Sequence, residues 1–324
     1  MRNKIYMMLV AALLAVGCEK EIPLDTEGVE PKVVVNGSVV AGEALNVHLT
    51  YSRLIFGWHD AFEDYFFEGI DNATVSLKAN GVAVGAALRD SGYYEFGYVP
   101  QEGDKLELKV SVPGHDELSA ATVVPHRPVL ADMRSSSRST GEDETEVHID
   151  VRFKLKDNEG EDNYYRLRVF LYDTSVYRYV DNNGDTVTEM YGDEPEQMYF
   201  SCNDAAINPF GISDVGIDEE VTYNSLYFTD NAFSGESHEI HLTFSQWTGM
   251  YYEETGSATK KYVEVEVVAM SRDRFLYEQS VQASRESDDL GLFQEPVPVH
   301  SNIKNGIGIF AGTAQCRLKA EVAE

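Results

Sequence analysis

Apolar and polar residues alternate along most of this chain with the period of two that a strand imposes. Leu45, Val47 and Leu49 are separated by Asn46 and His48, and Leu106, Leu108, Val110 and Val112 by Glu107, Lys109 and Ser111. The alternation continues through Ile149, Val151, Phe153 and Leu155, then Tyr165, Leu167, Val169 and Leu171. It returns at Ile240, Leu242 and Phe244 and at Val263, Val265 and Val267. Each run predicts a half-buried strand with one face on a core. Turn pairs fall between the early runs: Asn80-Gly81, Ser91-Gly92, Glu102-Gly103 and Pro113-Gly114. That punctuation is what a β-sandwich needs. Asp181-Asn182-Asn183-Gly184 predicts a hairpin. One helix is expected from Ser271 to about Ser284, with Ser271 as its cap, Asp273 in the first turn and Tyr277 and Val281 four apart.

The chain is therefore expected to be all-β. Residues 32–127, closed by Pro125 and Pro128, form an immunoglobulin-like or carboxypeptidase regulatory-like sandwich. Residues 128–324 form a larger antiparallel sandwich or barrel-like domain carrying the short helix. A polar stretch from Ser135 to Gly141 reads as a linker or exposed loop. The sequence contains no 20–50-residue repeat of the kind that builds solenoids and propellers.

The first residues follow a different rule. Arg2 and Lys4 precede an apolar run from Ile5 to Val16, then Gly17 and Cys18. The run is shorter than the roughly 20 residues that span a bilayer. Residues 1–17 read as a secretory signal peptide, and Cys18 as the lipidated first residue of a bacterial lipoprotein. Several acyl chains hold a protein stably where one does so only weakly. Residues 18–31, acidic and bounded by Pro31, form an extended tether.

The net charge is −29, and loss of residues 1–17 removes two cations and no acid. Such a surface repels nucleic acid, whose binding requires cations to displace counterions. Of the three cysteines, Cys18 serves the anchor. Cys202 and Cys316 either pair in an oxidising compartment or remain as two thiols.

Catalytic arrangements are weak. There is no Gly-x-Ser-x-Gly elbow and no glycine-rich phosphate loop, and 55 acidic residues make carboxylate pairs inevitable by chance. The expectation is a non-enzyme without catalytic residues, metal or cofactor. His238 and His241 point to opposite faces of a strand. Asp181, Asn183 and Asp185 have the glycine misplaced for a calcium loop. Asp214, Asp218, Glu219 and Glu220 could gather a cation in a loop.

The strongest candidate is aromatic. Phe56, Trp58, His59, Phe62, Tyr65, Phe66 and Phe67 crowd one segment, interrupted by Asp60, Glu63 and Asp64. It breaks the alternation between two strands of the first domain. Rings among polar groups are what contact surfaces use. The same composition also suits packing between the two domains.

Three segments carry a family resemblance: EKEIPLD with PKVVVNG after the cysteine, EDNYYRLRVFLY at Glu161–Tyr172, and EPVPVHSNIKNGIGIFAG at Glu295–Gly312. The chain resembles the Bacteroidota lipoproteins grouped as DUF4249, over nearly its whole mature length. The resemblance implies an accessory lipoprotein of the outer membrane, anchored by its lipid and facing the cell surface. It further implies a TonB-dependent transporter as partner in nutrient uptake, with a small-molecule or peptide ligand of unknown identity. The alternative is a structural or assembly lipoprotein that binds only other envelope proteins; a hydrolase is a third reading. In the tail, Asn305-Gly306 and Gly308 place small residues between apolar ones, as a tight turn or close backbone approach requires.

Overall fold

A computed structural model describes residues 30–53, 69–139, 146–180, 184, 186–191, 194–208, 221–247, 258–289 and 297–323. Contacts divide the chain into Met1–Pro31 and Lys32–Glu324. The strands belong to the second unit. They are β1 (Val33–Val40), β2 (Asn46–Tyr51), β3 (Thr74–Ala79), β4 (Val82–Asp90), β5 (Tyr93–Phe96), β6 (Lys105–Ser111), β7 (Leu118–Val123) and β8 (Val129–Ser139). They continue as β9 (Glu146–Lys156), β10 (Tyr164–Val180), β11 (Thr186–Tyr191), β12 (Glu196–Met198), β13 (Leu226–Thr229), β14 (Ser237–Trp247), β15 (Ala258–Met270) and β16 (Ile307–Ala323). Among the described residues there is one helix, α1 (Arg272–Asp289). The protein is all-β, as its alternation predicts.

The inward residues of the periodic runs form two cores. In the first, Leu45, Val47, Leu49, Leu106, Leu108 and Val110 are buried with Tyr94 and Phe96. One layer runs β1-β2-β5-β4 and the other β4-β3-β6-β7, with β4 passing from one to the other. The turns between its strands use positive φ where hairpins require it: Asn80 and Gly81 join β3 to β4, and Ser91 and Gly92 join β4 to β5.

The second core collects Ile149–Leu155, Tyr165–Leu171, Ile240–Phe244 and Val263–Val267, all at alternate positions. Its strands run β14-β9-β8-β16-β15-β10, with β11, β12 and β13 sharing the far edge of β10. Isolated bridges Ser201–Thr243 and Phe200–Tyr223 return towards β14, so the module is barrel-like.

Not every pairing is antiparallel. β16 runs parallel to β1 over Ile307–Thr313 and parallel to β8 at Val322–Ala323. Its first half supplies Phe310 to the first core, beside Ile303, and its second half packs Leu318 on the other. The two cores therefore do not partition the chain at residue 127.

The helix differs in detail from its expectation. It continues to Asp289, and the Ser271 hydroxyl accepts a hydrogen bond from the Gly312 amide at 3.2 Å. The Ser271 side chain thus ties the helix start to β16.

Candidate functional site

Cys18 and the aromatic residues Phe56, Trp58, His59, Phe62, Tyr65, Phe66 and Phe67 lie outside the described residues. The frame that holds the two ends of the aromatic segment is described. Thr50 bridges to Gly69, and Ile70 N–H donates to Leu49 O at 2.9 Å, so the chain leaves β2 and returns to it. Leu49 N–H donates to Gly92 O at 2.9 Å, and Gly92 N–H to Asp71 Oδ1 at 2.6 Å. The buried Tyr94 hydroxyl donates to Ile70 O at 2.8 Å and accepts from Ala73 N–H at 3.1 Å. Burial raises the Tyr94 pKa, which keeps the hydroxyl protonated as donor.

Two glycines make this root possible. A Cβ on Gly69 would stand 2.0 Å from the Ser91 carbonyl carbon, and one on Gly92 2.3 Å from Leu49 O. Only backbone without side chains fits there. The incoming chain joins the same place. Lys32 N–H donates to Ser52 Oγ at 2.9 Å, and Ser52 N–H to Lys32 O at 2.9 Å. Tyr51 packs against His115 with ring centroids 5.6 Å apart.

Of the other candidates, the described ones take part in pairs within the fold. His238 pairs with Asp204 at 2.5 Å and stacks on Phe233, whereas His241 pairs with Asp150 at 3.2 Å. Asp181, Asn183, Asp185, Asp214, Asp218, Glu219 and Glu220 lie outside the described residues. Cys202 and Cys316 are free thiols, and burial pushes Cys202 up to about 11. In the tail, Asn302 donates to Phe310 O at 2.8 Å and accepts from Phe310 N–H at 3.0 Å, a side chain standing in for a strand neighbour. His300 meets Asp273 of α1 at 2.9 Å.

Two polar clusters escaped the sequence reading. Asp157 and Asp230 are both buried, and Asp157 accepts from Gly235 N–H at 2.8 Å and from the Tyr165 hydroxyl. Burial, with Asp230 close by, raises the Asp157 pKa despite those bonds. On the outer face of β10, β15 and β16, the fully buried Glu266 receives Arg168 at 2.5 Å and Arg317 at 2.7 Å. Below it, Lys319 Nζ lies 3.2 Å from the Tyr172 ring centroid.

A groove of about 610 Å³ opens between α1 and β13. The sequence carried little signal for it, because β13 contributes only Leu226 and Phe228 to the core.

These features define an all-β protein of two fused modules sharing a C-terminal strand, with a glycine-welded loop root in the first. The chain belongs to the family described as a domain of unknown function (DUF4249), whose model matches residues 19–318. No curated protein matches it. Among solved structures, the collagen-binding domain of Erysipelothrix rhusiopathiae surface protein RspB is similar at 9% identity, covering 89% of this chain and 94% of that one. The TM-score is 0.18, too low to carry an argument.

Proposed function

We propose that this protein is a lipid-anchored accessory protein of the outer membrane, acting with a TonB-dependent transporter in nutrient uptake by non-covalent binding. The observation that supports it most is the shared root. Lys32, where the tether of residues 18–31 reaches the first sandwich, is hydrogen-bonded to Ser52, one residue before Arg53 and the aromatic segment. The far end of that segment returns at Gly69 beside Thr50. An anchor at Cys18 thus leads into the fold at the place from which Trp58, Tyr65, Phe66 and Phe67 depart. A membrane-embedded partner is the natural target for rings rooted at the tethered end. The tether of 14 residues reaches at most about 50 Å when extended.

The test uses two variants in the full chain. Cys18→Ala releases the protein from the membrane fraction; retention in the outer membrane sinks the anchor. Trp58→Ala with Phe66→Ala removes co-purification of the transporter while leaving thermal melting unchanged within about 0.5 kcal/mol, as exposed positions do. A loss of about 3–5 kcal/mol per ring would place the rings in a core and retire the contact surface.

A further inference from the structure

Asp157 and Asp230 are each 3% exposed, and their carboxyls lie within hydrogen-bonding reach of one another. They fasten two connections together, that from β9 to β10 and that from β13 to β14. Asp157 N–H donates to Glu236 O at 3.1 Å, and its carboxyl accepts from Gly235 N–H at 2.8 Å and from the Tyr165 hydroxyl. Across the seam, Asp230 N–H donates to Asn163 O at 3.3 Å, and its carboxyl accepts from Asn163 N–H and from the Asn163 amide, each at 3.2 Å. The same amide donates to Asn158 O and Glu161 O, each at 3.0 Å. Asn158 in turn donates to the carbonyls of His126 and Arg127, where the two modules join.

Every donor on the two carboxyls is neutral. The charged groups nearest the seam are acidic: Glu236 follows Gly235, the Glu159 side chain packs at Gly235, and Glu161 acts on Tyr165. Lys156 precedes Asp157 but is exposed, as is Asp162. His238 of β14 stacks on Phe233 and is taken up by Asp204 at 2.5 Å, and His126 by Glu161 at 3.5 Å. The segments between residues 140 and 296 that lie outside the described residues contain no Lys, Arg or His. Among the described residues no third acid, His or Cys joins the pair to hold a metal ion. Two carboxyls this deep and this close do not both ionise cheaply. Burial, and then the nearness of Asp230, both favour the protonated form of Asp157.

We propose that Asp157 carries a proton donated to Asp230, and that this proton works as a clasp. While it is held, the two connections stay fastened. When it passes to water, two carboxylates face each other, the connections part, and the hold of Asn158 on the module junction loosens. By linkage the clasp is fully present below the ordinary carboxylate value of about 4. It is lost as pH rises through the raised value of Asp157. The device uses neither Cys18 nor residues 54–68, and its failure leaves the accessory reading standing.

Two measurements on the full chain test it. Infrared difference spectra should show the carbonyl stretch of a protonated carboxylic acid at pH values where ordinary carboxyls are ionised, and Asp157→Asn should remove it. Native-state hydrogen exchange reads the motion. The amides of Asp157, Asn163, Asp230 and Gly235 should open without exposing those of Phe153 and Ile240 in the centres of β9 and β14. Corrected for intrinsic rates, their opening constants should rise by up to about ten-fold per pH unit between the ordinary and the raised value, as release of one proton requires, and then level off. In Asp157→Asn, whose amide donates to Asp230 at any pH, they should stay flat. Tyr165→Phe removes a donor that favours the carboxylate form, so the levelling should move to higher pH. That variant decides the matter even where Asp157→Asn does not fold. An acid band absent from the wild type, or one that survives Asp157→Asn, would overturn the proposal. So would equal pH slopes in the wild type and Asp157→Asn, a levelling point that Tyr165→Phe leaves unmoved or lowers, or seam amides that exchange only together with the strand centres.

Discussion

Two buried carboxylates are set in opposite directions by their neighbours. Burial raises Asp104, but the Tyr98 hydroxyl at 2.5 Å, Gln101 N–H at 2.7 Å and the Asn80 amide at 2.7 Å outweigh it, and the net shift is downward. The same contact pushes Tyr98 up to about 12. Asp157 is raised, first by burial and then by Asp230, while its hydrogen bonds offset this only in part. Linkage then gives opposite slopes. The contribution of Asp104 is present above the ordinary carboxylate value of about 4 and is lost as pH falls through its lowered pKa. That of Asp157 is fully present below the ordinary value and is lost as pH rises through its raised pKa. Denaturant titrations between about pH 3 and pH 7 should therefore diverge. Asp157→Asn gains on the wild type as pH rises, and Asp104→Asn falls behind it. Slopes of the same sign would refute the assignment.

At the scale of elements, the tail explains itself through close approach. Gly308 has φ +112, and a Cβ there would lie 2.1 Å from Val35 O on β1. Gly306 would drive its Cβ to 2.3 Å from Leu118, and Gly312 to 2.7 Å from Val123 O. Gly308→Ala is expected to cost more than about 2 kcal/mol in equilibrium unfolding, from backbone strain and collision together. Gly85→Ala, whose Cβ meets nothing within 4 Å, should stay within about 1 kcal/mol. Equal effects would remove close packing as the reason for the tail's glycines. The need for small residues at 306 and 308 is legible in the sequence, but their partner is not. Alternation says which face of a strand is buried, and leaves open which strand lies beside it. The inward residues of β2, β6, β9, β10, β14 and β15 were accordingly readable, whereas the parallel seat of β16 on β1 was not. The groove beside β13 was invisible for a related reason. Four residues with two inward side chains make no periodic signal, and a groove exists only once its walls are placed. The aromatic segment was legible as composition alone; its root, two glycines back to back, depends on Gly92 and Gly69 meeting in space.

The whole molecule is governed by β16. It is paired on both sides, with β1 and β15 around Thr313 and with β15 and β8 at its far end. The first sandwich lacks Phe310 until the last residues of the chain are in place, and the second barrel lacks the wall between β15 and β8. Further ties cross the junction: Asn158 donates to the carbonyls of His126 at 3.3 Å and Arg127 at 3.2 Å, and Arg127 meets Glu102 of the first module. A strand shared by two cores couples their unfolding, because neither can release it without exposing apolar surface of both. Two separate truncations decide the matter. Phe310→Ala opens the first core and Phe153→Ala the second, both fully buried rings, each at a cost of about 3–5 kcal/mol. In calorimetry, both variants should move one and the same transition, with the van't Hoff and calorimetric enthalpies remaining in agreement. Two transitions, each displaced by only one variant, would mean that the cores unfold independently and that β16 is a bridge rather than a common strand.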